Sequence, residues 1–229
     1  MKRFLSTWSV LLIVAVSSFI VTSCSSDDDD EVKVENKVGG KVPKVSEAVD
    51  LGLSVKWAPW NVGASQPTDY GEWFAWGEVT PGDSEGYRNY KHFSDGAKVS
   101  KYYCDDGWKT LEAEDDAATA NWGRNWRMPT HDEELELREG ETSWEWVKDY
   151  NGSGHNGYII RSLKVGYEDA EIFLPACGYY GEGLNNWNDP NVEVAYWASE
   201  SVYFNSTIWG WDAYKWQDMC GLPVRAVCP

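Results

Sequence analysis

Residues 115–137 read DDAATANWGRNWRMPTHDEELEL, two short helix signals separated by a Trp-Arg-Met-Pro turn. Asp115 and Asp116 stand where a helix N-terminus favours negative charge, Ala117 to Ala120 propagate the helix, and Gly123 can take the left-handed conformation that closes it. Trp122 falls one turn after Ala118 and so points to the core. Past Pro129, Thr130 and Glu133 have the spacing of a capping box, and Gly140 is placed to stop the second helix. Arg127 lies between the two helices and reads as a tie, its guanidinium on loop carbonyls or an acidic helix end and its stem on a Trp.

Upstream, Val49 to Trp57 reads as a strand ended by Pro59. Tyr70 to Glu78 reads as a second strand with Trp73 and Ala75 on one face and Phe74 and Trp76 on the other, which implies cover on both sides. Thr80 to Tyr103 is polar and irregular. Downstream strands are expected at Gly157 to Leu163, Ala170 to Ala176, Tyr196 to Glu200 and Pro223 to Cys228. Gly152 to Gly157 satisfies GxGxxG, but a strand follows it rather than a helix, so it reads as a turn and not a phosphate cradle. Short strands, two short helices and no βαβ alternation predict an α+β fold with mostly antiparallel strands and long loops.

The first residues carry Lys2 and Arg3, an apolar run from Phe4 to Val21 and then Val21-Thr22-Ser23-Cys24. That is the form of a lipoprotein signal peptide, residues 1–23, with Cys24 as the acylated first mature residue. Five hydroxyl side chains in the run weaken it as a membrane span. Several acyl chains on Cys24 would give a stable anchor, so membrane contact is expected through lipid only. Residues 24–46 begin with Ser25-Ser26 and four aspartates and read as an acidic, flexible tether reaching up to roughly 70 Å. Residues 47–229 suffice for one domain.

The net charge is −17, and loss of Lys2 and Arg3 makes the mature chain more acidic still. Such a surface repels nucleic acid and supplies oxygen ligands for hard cations. Fifteen Trp and thirteen Tyr serve either a core or a sugar- or peptide-binding face, and most are expected in the core. With Cys24 acylated, Cys104, Cys177, Cys220 and Cys228 allow three disulfide pairings, and no spacing among them suggests zinc.

The segments VDLGLSVKWAPWNVGA, YGEWFAWGEVTP, LEAEDDAATANWGRNWRMPTHDE, EIFLPACGYY, YWASE and GLPVRAV, in that order over nearly all of residues 48–228, resemble the FISUMP family, the major paralogous domain of cell-surface lipoproteins. The resemblance implies a C-type-lectin-like fold of the kind found in surface adhesins. The acidic residues after Cys24 resemble the signal that exports Bacteroidota-type lipoproteins to the outer face of the outer membrane, so a lipid-anchored protein facing the cell exterior is expected. Cys177 and Cys220 stand where the family more often has other residues, which favours a Cys177–Cys220 bridge.

Two loops concentrate the chemistry of recognition. Asn185, Asn186, Asn188, Asp189, Asn191 and Glu193 could share a calcium ion, with Asn185, Asn188, Asp189 and Glu193 the expected metal ligands. Trp187-Asn188-Asp189 matches a tripeptide of calcium-dependent sugar sites in C-type lectins, although here it precedes a strand instead of lying in one. In the second loop, Trp209 and Trp211 could stack on sugar faces. No enzyme is expected: His92, His131 and His155 lack metal-ligand spacing, and there is no GxSxG elbow or P-loop. The Arg-Met-Pro-Thr stretch is also similar to a segment of formylglycine-generating oxidases, but those need paired reactive cysteines. The expected function is a surface-exposed binding module for a glycan or glycoprotein, with or without calcium and with no other cofactor. The alternative is a structural or interaction component of a surface protein assembly without a soluble ligand.

Overall fold

The helix pair follows from its caps. Asp116 precedes α1 (Ala117–Trp122), and its Oδ1 accepts the Thr119 N–H at 2.8 Å. Its Oδ2 accepts the Met128 N–H at 2.8 Å, so one carboxylate both starts the helix and fixes the turn after it. Gly123 closes α1 at φ +91°, a conformation that favours glycine. Thr130 caps α2 (His131–Glu139) through the expected capping box with Glu133. Gly140 ends α2 without a left-handed turn; a Cβ there would lie 2.4 Å from the Glu136 carbonyl oxygen, so glycine is required by close approach.

The computed structural model describes residues 36–82, 102, 110–179, 190–200 and 220–229, with the backbone alone at 93–94, 98–99 and 203–205. All of these belong to the compact unit Val32–Pro229. Strands are short: β1 (Lys56–Trp57), β2 (Phe93–Ser94), β3 (Lys98–Val99), β4 (Thr142–Val147), β5 (Gly157–Ser162), β6 (Glu171–Pro175), β7 (Ala195–Trp197), β8 (Tyr203–Asn205) and β9 (Val227–Cys228). Each named pairing is antiparallel, namely β1–β9, β2–β3, β4–β5–β6 and β7–β8. The fold is therefore α+β with antiparallel strands and few helices. Among the described residues no helix is long and apolar enough to cross a membrane.

The last strand organises the interior. On one side β9 pairs with β1, Trp57 opposite Val227, and on the other the Arg127 and Val227 backbones exchange hydrogen bonds of 3.1 and 2.9 Å. The turn between the helices is thus fastened to the C-terminal strand. Neighbouring strand residues point to opposite faces, so Cys228 enters one apolar cluster with Trp60, Trp76, Trp122 and Trp126, while Val227 enters another with Trp57, Leu137, Ile160 and Leu174. β7 divides in the same way, Trp197 to the first cluster and Tyr196 to the second.

Several expectations change, and the strands expected at Tyr196–Glu200 and Pro223–Cys228 reduce to β7 and β9. The Val49–Trp57 strand contracts to Lys56–Trp57, because Gly52 at φ +74° turns the chain and lets Val49 pair back onto Trp57. Tyr70 to Glu78 is not a strand; its ladder is a single bridge from Phe74 to Leu222, interrupted by positive φ at Gly71 and Gly77, although Phe74, Ala75 and Trp76 are buried. Residues 36–46 do not behave as a solvated tether. Val38 is buried in the first cluster, the Lys41 N–H donates to Ala64 O at 2.8 Å, and the Trp60 and Trp126 indoles donate to the carbonyls of Lys41 and Pro43.

Candidate functional site

Most residues singled out for recognition lie outside the described residues: Cys24, Asn185, Trp187, Asn188, Asp189, Trp209 and Trp211. Their described neighbours carry the geometry. At the first loop, Asn191 N–H donates to Ala176 O at 2.8 Å and Gly178 N–H donates to Glu193 O at 3.0 Å, two backbone bonds that close the stem. Asn191 sits at φ +77°, its Oδ1 accepting the Asn156 N–H at 2.7 Å and the Tyr70 hydroxyl at 3.1 Å, and its carbonyl accepting from the Asn156 amide at 2.9 Å. The oxygen counted on for a cation is thus turned into the frame. Glu193 is buried in the stem beside it.

The second loop springs from the same place. Ala195 in β7 pairs with Asn205 in β8, so the residue that follows the first loop's stem stands opposite the residue from which the second loop departs. Both loops are legible in the sequence, but nothing in it brings their roots, Ala195 and Asn205, together.

Beneath the stem lies a buried polar group that sequence reading misses. Arg225 is 1 % exposed and donates from Nε to Asn61 Oδ1 (2.8 Å), from Nη1 to Ala58 O (3.2 Å) and from Nη2 to Phe173 O (2.9 Å). All three acceptors are neutral, and burial pulls its pKa down. Asn61 also donates to Tyr70 O and to the Tyr196 hydroxyl, which donates to Pro175 O. The expected Cys177–Cys220 bridge is not made. Cys177 is a thiol within 3.5 Å of Tyr196 Oη and belongs to the second cluster, whereas Cys220 lies in the first. Burial raises the Cys177 pKa to about 12, so it is protonated and packs as a small apolar group.

Arg225, Glu134, Trp57 and Tyr196, with Leu137, Leu174 and Trp144, line a partly open cavity of about 20 Å³. Glu134 is on the inner face of α2, and its Oε2 is buried with no hydrogen-bond partner among the described residues. Its pKa lies well above the carboxylate range, chiefly through burial and then through the charges of Glu200 and Glu133, with Arg138 opposing weakly. A folded-state pKa raised above the unfolded one favours the fold at low pH, and that contribution is lost as pH climbs above the ordinary carboxylate pKa. Glu134→Gln, neutral at every pH, is therefore expected to match the native protein near pH 4 and to exceed it by at least about 1 kcal/mol at pH 7. Urea unfolding at both values reads this, and an equal gap at the two would contradict it.

The Arg127 guanidinium ties a loop carbonyl to an acidic helix end, as expected. It forms a two-pronged pair with Glu133 at 2.7 and 2.5 Å and donates to Met128 O at 3.0 Å. Glu112, Glu114 and Asp115 bring carboxylate oxygens within 4.8 Å of one another, and Asp115 accepts from the Tyr102 hydroxyl at 2.5 Å. The trio supplies three oxygens against the six to eight that calcium takes. Gly152 to Gly157 is a turn, with the Gly154 N–H on Asp149 Oδ1. No family model, curated protein or solved structure matches this chain.

Proposed function

We propose that this is a surface-exposed lipoprotein of the FISUMP type with a C-type-lectin-like domain that binds a glycan or glycoprotein through residues 181–193 and 203–216. It is carried on the outer membrane by acylated Cys24. Support comes from the β7–β8 register, which roots both aromatic and Asn-rich loops at the Ala195–Asn205 pair. A paired stem at the roots of two loops lowers the ordering cost of binding. Trp187, Trp209 and Trp211 supply stacking surface, and Asn185, Asn188 and Asp189 supply polar contacts with or without calcium, while Glu193, buried in the stem, is withdrawn as a ligand. The buried Arg225 group keeps the stem in place and takes no part in contact.

The test is a glycan array with the intact protein, the Trp209→Ala/Trp211→Ala double variant, and the protein in chelator. Binding in the millimolar to micromolar range, weakened at least about tenfold by the double substitution, is the expected result. Unchanged binding by the double variant would remove the stacking role. A blank array together with a tight co-purifying protein would instead indicate a component of a surface assembly. Loss in chelator assigns calcium to the site.

A further inference from the structure

We propose that the cavity between α2, β1 and the segment entering β9 is a built site for one water molecule that bridges the Glu134 carboxyl and the Arg225 guanidinium. Glu134 is 6 % exposed, lines the cavity and carries an Oε2 with no partner among the described residues. Trp57 is 2 % exposed, lines the same cavity, and its indole N–H is equally without a partner among those residues. Arg225 has five N–H groups, three of them spent on Asn61, Ala58 and Phe173. A fourth contact joins it to the Tyr196 side chain, which leaves one N–H, and it lines the cavity with no carboxylate partner among the described residues.

The size decides the class of guest. About 20 Å³ exceeds the roughly 10–15 Å³ that one water needs and leaves no space for an organic ligand. The lining decides its polarity, because an internal water is held by two to four hydrogen bonds while cavities without polar walls stay dry. A water here accepts from the Arg225 guanidinium and the Trp57 indole and meets the Glu134 carboxyl. It thereby joins α2 to both terminal strands through one molecule. A halide is the competing guest, since Arg225 brings a positive charge and the indole a donor.

Crystals of the protein grown in bromide, together with oxygen-17 relaxation dispersion in solution, separate these outcomes. The expected result is one density peak within hydrogen-bond distance of Glu134 Oε2 and Arg225 with no anomalous bromide signal, and one fewer long-lived internal water in Glu134→Leu than in the native protein. An empty cavity in the native crystal, or a peak with bromide's anomalous signal, overturns the proposal. The crystallographic arm uses the native protein alone, so it decides between water, halide and void even where Glu134→Leu fails to fold.

Discussion

Arg225→Ala is expected to lose about 4 kcal/mol of stability or more, a large part of the 5–15 kcal/mol that a domain possesses. Substitution strands Asn61 Oδ1, Ala58 O and Phe173 O in the interior, and each orphaned buried polar atom costs about 1–3 kcal/mol. The emptied volume adds a cavity cost. Against this stands one gain: the guanidinium is buried with no carboxylate partner among the described residues, burial lowers its pKa, and alanine removes that desolvation. Three stranded acceptors and a void the size of an arginine outweigh it. Arg225→Lys should recover less than half, because one ammonium cannot span acceptors that a rigid fork reaches from residues 58, 61 and 173. Equilibrium urea unfolding followed by tryptophan fluorescence measures both, and an alanine variant within about 1 kcal/mol of the native protein would show that the group is not structural.

Asp116→Ala should cost about 2–4 kcal/mol. The first part is the lost cap of α1, about 1 kcal/mol. The second is the Met128 N–H, which donates to Asp116 Oδ2 at 2.8 Å beside a residue only 2 % exposed and would be left without an acceptor. Asp116→Asn retains one oxygen and should fall near the middle of that range, whichever of the two amides it serves. Amide exchange offers a finer reading: Met128 and Thr119 should lose protection together in the alanine variant. If only Thr119 did so, the coupling of helix to turn through one carboxylate would be wrong.

What can be read from sequence divides by distance along the chain. The helix caps at Asp116 and at Thr130–Glu133 are local chemistry, complete within three residues, and both are present where spacing puts them. The Tyr70–Glu78 segment has the aromatic alternation of a strand, but positive φ at Gly71 and Gly77 limits its ladder to one bridge. β4 escapes sequence reading for the converse reason. Trp144-Glu145-Trp146 alternates over too few residues to stand by itself and becomes a strand through pairing with β5, edge-to-face contact with Tyr158 and the Trp144 indole bond to Leu137 O. Asn191 as an oxygen donor could serve either a cation or the frame, and the choice depends on Tyr70 and Asn156, far away in sequence. The Arg225 group is illegible for the same reason, its three acceptors arriving from distant elements. The Cys177–Cys220 expectation fails because pairing needs proximity, and the two residues stand in separate clusters.

The docking of residues 36–46 has a mechanical consequence. Residues 36–46 are part of the domain, so a tether drawn as residues 24–46 would be shorter by the eleven residues that dock on it. Force applied to the domain through its N-terminal side would first meet the Lys41–Ala64 bond and Pro43 beneath the Trp126 indole.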